Sequence, residues 1–206
     1  MELTQDYKNI VKLRFDNPSE LKSDFFSEFY KGILTPEIFS GEIFKDLPLG
    51  VILNFLKKSH TEYLTLWFPK IEELAQQLQD EIGVNDLTLT LHSFLVTYSN
   101  ELNNHINFEE KVLYNFVQKL LKGVYVETEK MFVLNHFLET HSHAVADDLN
   151  TIKKVLLNKN PDLLTNSIAK ELFNQMALIH NDIQVHGIVE DEILMEKIHS
   201  YIAKHF

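Results

Sequence analysis

The chain has 206 residues, 45% of them hydrophobic and 24% charged, the balance of a soluble globular protein with one sizeable core. A formal net charge of -11 argues against nucleic acid or an anionic membrane surface as a main partner. There is no cysteine, which excludes disulfides, thiolate metal sites, iron–sulfur ligation and a cysteine nucleophile on this chain.

Residues 1–46 read as an N-terminal extension, helical or irregular, with an amphipathic piece around 19–33 carrying Phe25, Phe26, Phe29 and Tyr30. The N-terminus has no apolar leader-like stretch, and no apolar run is long enough to span a membrane, so a cytoplasmic protein is expected. Residues 47–206 form the main domain. Pro48-Leu49-Gly50 opens a helix that runs to about Ile82. Gly83-Val84-Asn85-Asp86 is a turn with Asp86 as the expected N-cap. The second helix reaches about Lys122, where Gly123 fits a C-terminal stop. A third spans roughly 127–158 and closes at Asn158-Lys159-Asn160-Pro161; a fourth runs from about Asp162 to Tyr201. No segment alternates with period two, so no sheet is expected. Four long helices with short connections predict an all-α fold, an up-down-up-down four-helix bundle preceded by the short extension.

The apolar stripes place the core. Leu53, Leu56, Leu64, Trp67, Ile71 and Leu74 share a face of the first helix, and Leu91, Tyr98, Leu102, Val112 and Phe116 one of the second. Polar residues interrupt these stripes. His60 lies on the first; His105 and Glu109 lie on the second; His186 and Glu190 lie on the fourth with Ile179, Ile183 and Ile193. Burying several histidines and glutamates is expensive unless they pair or bind a cation. His105 and Glu109, like His186 and Glu190, are one turn apart and can present an imidazole and a carboxylate to one cavity.

An internal repeat with an offset of 81 residues ties these positions together. HINFEEKVL at 105–113 echoes HGIVEDEIL at 186–194, and the same offset maps Leu91 to Leu172, Leu102 to Ile183, Leu53 to Leu134 and Ile71 to Ile152. It maps His60 to His141. His141 falls on the stripe of Leu134, Phe137, Val145 and Ile152, whereas His136 and His143 point to nearly the opposite side; His143 becomes the ligand if helix three is locally overwound. His92, His136, His143, His180, His199 and His205 lie off the stripes or at the end, and most of them are read as solvated.

Four histidines and two carboxylates make a nitrogen and oxygen donor set. Two glutamates from facing helices can bridge two metals, two histidines completing each, with a position left open on each octahedral ion. Iron and manganese accept that geometry, and a structural tetrahedral zinc site would not use it. Open positions suit small guests such as dioxygen, nitric oxide or peroxide. Ferritin-like di-iron bundles instead use two Glu-x-x-His elements, and this chain has one, Glu196 to His199.

Residues 47–201 resemble the hemerythrin-like cation-binding domain, most closely that of the repair-of-iron-centres family. LKKSHTEYL, HINFEEKVL, the histidine of LETHSHAVADDL, and HGIVEDEIL carry the resemblance. It implies a di-iron centre, oxo- or hydroxo-bridged, held by His60, His105, Glu109, His141, His186 and Glu190, with manganese or zinc ranked below iron. It also implies a role in nitrosative or oxidative stress, reacting with nitric oxide or oxygen species or supplying iron to damaged iron–sulfur proteins. The chain would act as a monomer or homodimer. The alternatives are a reversible dioxygen-binding or sensing module and a metal-stabilised interaction protein. Two features depart from the family pattern. The positions four away from His141 are Phe137 and Val145, so the fifth histidine of dioxygen carriers is missing. The extension also lacks the cysteines that this family commonly carries there.

Overall fold

The computed structural model describes the backbone of residues 3–124, 127–140 and 144–206, and the side chains of these except 134–140 and 144–148. Every regular element among the described residues is helical. The extension forms α1 (Gln5–Leu13) and α2 (Phe25–Leu34), joined to the rest by short 3₁₀ turns. Beyond it lie α3 (Leu49–Glu62) and α4 (Phe68–Ile82), α5 (Asp86–Glu109) and α6 (Asn115–Leu121), and α7 (Glu127–Thr140) and α8 (Ala144–Lys159). Last come α9 (Ser167–Ile188) and α10 (Met195–His205). Packing is cyclic: α4 lies against α5 and α9, and α8 lies against the same two.

Among the described residues three of the four predicted rods are segmented, each by a π turn: Tyr63–Trp67 joins α3 to α4, Glu110–Tyr114 joins α5 to α6, and Val189–Leu194 joins α9 to α10. Residue spacing explains the third. His186, Glu190, Leu194, Ile198 and Ile202 are all buried at steps of four. On an ideal α-helix each such step drifts by about 40°, so the stripe would swing off the core. A wider π turn absorbs the drift. The repeat offset carries residues 110–114 onto 191–195, overlapping the π turn observed at 189–194.

The same device changes which residues are inside. The expected stripe ran through Leu64 and Trp67, yet these are half-buried, while Tyr63 and Phe68 are buried. The inward step from 63 to 68 is five residues, the hydrogen-bond step of a π turn. Val112 is likewise half-buried, with Leu113 and Tyr114 taking the interior. Two further details differ from the sequence reading. The N-cap of α5 is Asn85, whose side chain accepts from the Leu87 and Thr88 amides in a capping box with Thr88. And α9 begins at Ser167 after a 3₁₀ turn over Pro161–Leu164, because Asn166 caps it through the Ala169 amide.

Two apolar clusters fill the interior. One joins the extension (Tyr7, Val11, Phe15, Phe25, Phe29, Phe44) to Phe55, Leu56, Leu113, Val189 and Leu194. The other joins α4, α5, α8 and α9 through Ile71, Leu78, Leu91, Leu102, Leu156 and Leu172. The extension thus shares a core with the helices behind it. Gly41 illustrates how close they come. Its φ is +67°, and a Cβ there would stand 2.8 Å from Ile193 in the third π turn. The layer between the two clusters is polar.

Candidate metal site

His60, Glu109 and His186 are buried in this layer, at 2%, 1% and 6% exposure. Each sits beside a π turn: His60 in the last turn of α3, Glu109 ending α5, and His186 in the last turn of α9. Their ligating atoms converge within 4.8 Å of one another. His60 Nε2 stands 3.1 Å from Glu109 Oε2 and 3.0 Å from His186 Nε2. His105 reaches the group from the edge, its Nε2 2.7 Å from Glu109 Oε1. Glu190, fully buried, lies beside Glu109 and Tyr114. The structure therefore converges three of the six predicted ligands, His60, Glu109 and His186, with His105 against Glu109 and Glu190 beside it. His141, the sixth, and its alternative His143 lie outside the described residues.

Partners behind these side chains orient them. Glu110 Oε1 lies 3.3 Å from His60 Nδ1. With the ring proton on Nδ1 donated to Glu110, Nε2 keeps its lone pair for the interior, the usual way an outer carboxylate sets the tautomer of a metal-binding imidazole. Tyr114 stacks on His60 at 5.3 Å between ring centroids, and its hydroxyl is 3.5 Å from His60 Nε2. Tyr63 meets the His186 ring edge-on at 5.7 Å.

The electrostatics are in conflict. Burial pushes the Glu109 carboxyl up, but hydrogen bonds from His105 and His60 outweigh it and hold Glu109 well below the usual range. Burial and the neighbouring Glu109 charge push Glu190 well above it. Burial and the His60 charge hold His186 well below the ordinary imidazole value. His60 is lowered by burial, yet Glu109 and Glu110 raise it on balance. Two adjacent buried carboxylates cannot both ionise without a counter-charge. A cation at the convergence point would let both do so, and its donor set of imidazole nitrogens and carboxylates suits iron, manganese or zinc. The residues fit a metal.

Three contributors were invisible to the sequence reading. Tyr114 lies five residues after Glu109, a spacing that α-helical periodicity assigns to another face. Asp182 is buried one turn before His186 and binds Arg14, Tyr7 and Tyr63. Arg14 itself is fully buried; the signal for it was Tyr7, Val11 and Arg14 at helical spacing on one face. His180, read as solvated, is buried at 5% exposure and pairs with Asn150 through its Nε2 at 2.9 Å. Its place on α9, between the face of Ile179 and that of Asp182, explains the burial. His199 and His205 are exposed.

Compared with known proteins, the chain matches no family model, no curated protein and no solved structure. No helix among the described residues is long and apolar enough to cross a membrane.

Proposed function

We propose that this chain is a non-haem di-iron protein built as a hemerythrin-like four-helix bundle, with His60, His105, Glu109, His141, His186 and Glu190 as ligands. The observation that carries the reading is the convergence of His60, Glu109 and His186 within 4.8 Å in a buried layer, with His105 against Glu109 and Glu190 beside it. Bound iron would offer open coordination positions to a small diatomic molecule such as nitric oxide or dioxygen.

The chain's own residues prepare that site. Glu109, ending α5, and Glu190, in the third π turn, would hold the metal through their carboxylates. Glu110 Oε1 faces His60 Nδ1 and would hold the ring in the tautomer that leaves Nε2 free, and the buried Tyr114 phenol lies 3.5 Å from His60 Nε2. Burial and the two nearby carboxylates push that phenol well above its ordinary value, so it remains a donor. Apolar clusters on both sides keep bulk water out. A guest would therefore be small, and the fitting role is a response to nitric oxide or oxygen species, or supply of iron to damaged iron–sulfur proteins.

Metal content per chain, measured with the absorption spectrum before and after reduction, tests this. About two irons per chain with charge-transfer bands that bleach on reduction are expected. Zinc, a single ion or none at saturating iron would sink the di-iron reading. Iron-loaded protein that neither reacts with nitric oxide nor surrenders iron to a chelator would sink the stress role.

A further inference from the structure

The N-terminal extension reaches the buried polar layer through Arg14 and Tyr7. Tyr7, Val11 and Arg14 form a single buried face of α1 and its C-terminal end. Arg14 donates Nη1 and Nη2 to Asp182 Oδ1 and Oδ2, at 2.9 and 2.7 Å. Its Nε donates to Glu62 Oε2 at 2.8 Å. Glu62 is two residues beyond His60 on α3, and Asp182 is one turn before His186 on α9. The guanidinium fork therefore spans the two helices whose imidazoles meet at 3.0 Å. A planar fork with fixed donor directions can hold two carboxylates in register, which a lysine cannot.

Asp182 carries the brace further inward. Tyr63 donates to its Oδ1 at 3.0 Å, and Tyr7 donates to its Oδ2 at 2.8 Å. The Tyr63 ring is the one that packs edge-on against His186. Arg14 also lies over the Phe55 and Tyr63 rings, 5.6 and 5.9 Å from their centroids. One chain of contacts thus runs from the extension through Asp182 and Tyr63 to a ligand.

We propose that the extension is a working part of the metal site: Arg14 sets the spacing of His60 and His186, and metal loading is coupled to docking of residues 3–46. This rests on the metal reading above. A fastener that only held the extension in place would affect folding stability and leave the affinity of the folded protein alone. Outer residues that position ligands change metal affinity itself, by about 10–100-fold when removed.

Cobalt(II) titration of the full-length chain, followed by its visible absorption, separates these. Arg14→Lys keeps the charge but cannot span Glu62 and Asp182. Tyr63→Phe deletes one hydrogen bond and keeps the ring, and is decisive alone if Arg14→Lys does not fold. In each folded variant, cobalt affinity should fall about tenfold or more and the cobalt bands should shift. Parent-like affinity in either folded variant overturns the proposal and leaves the metal reading intact. A parent chain that takes up neither cobalt nor iron overturns both.

Discussion

Two buried polar clusters meet on α9, one turn apart. Around Asp182 the groups complete one another: Arg14 gives its carboxylate two hydrogen bonds, and Tyr7 and Tyr63 give one each. Burial and the Asp182 charge push both phenols well above their ordinary value, so both stay donors. Around His186 and Glu190 the groups oppose one another. Glu109 raises Glu190, and His60 lowers His186. Both clusters are buried and both join the same helices. The first is a finished fastener; in the second, among the described residues, donor atoms converge and push Glu109 and Glu190 in opposite directions, a condition a cation would relieve. Buried polarity alone does not mark a ligand site; unresolved charge does.

Breaking each cluster should look different. Glu109→Ala removes the carboxylate shared by His60 and His105, and metal uptake should be lost altogether. At a metal concentration about a thousand times Kd, binding adds roughly 4 kcal/mol, or about 8–16 °C in Tm at roughly 2–4 °C per kcal/mol. That gain should vanish, while the metal-free variant still folds. Retained metal content would remove Glu109 from the ligand set. Arg14→Met instead strips a buried carboxylate of its counter-charge, which costs about 3–5 kcal/mol and about 6–20 °C in the metal-free protein. Adding Asp182→Leu should restore part of this loss, because it removes the unpaired buried charge while leaving the Tyr7 and Tyr63 hydroxyls without their acceptor. If thermal denaturation shows no such recovery, the Asp182 cluster is not the closed unit described.

Much of this contrast was legible in the sequence, but unevenly. His60, His105, Glu109, His186 and Glu190 stood out because they interrupt apolar stripes and because one repeat offset pairs them. That signal depends on order along the chain, which π turns preserve. Facing direction after each site residue was misread at Leu64, Trp67 and Val112, because a π turn shifts phase and no residue type announces it. Arg14 and Asp182 were missed for another reason. The two lie 168 residues apart; Arg14 is outside the repeat, and the residue the offset maps onto Asp182 is the exposed Glu101. A solitary arginine in an extension reads as surface until a structure supplies its carboxylate.

A milder change sharpens the comparison through pH. Glu190 is held above its ordinary value by burial first and then by Glu109. A carboxyl raised in the folded state binds more protons folded than unfolded, so its contribution is favourable at low pH. It is lost as pH rises from about 4.5, the unfolded value, through the raised folded value. At neutral pH metal-free protein therefore carries the burden of Glu190. Glu190→Gln should raise the Tm of metal-free protein near pH 7 by about 2–4 °C for each kcal/mol relieved, and parent and variant should converge near pH 4. The same variant should lose metal. Identical pH dependence of Tm in the two metal-free proteins would mean that Glu190 is not under the strain described.

The smallest effect concerns a histidine that resembles a ligand without being one. His180 is buried on α9 six residues before His186, and its Nε2 pairs with Asn150. That pairing joins it to α8, and His180 stands outside the group in which His60, Glu109 and His186 converge. Asn150→Ala should cost about 1 kcal/mol, or about 2–4 °C, and leave metal content and spectrum unchanged. Loss of metal in Asn150→Ala would break the rule drawn from the two clusters, because a satisfied buried histidine would then have behaved like one in conflict. Unchanged metal with a small fall in Tm would show the rule separating two histidines on the same helix, where burial alone cannot.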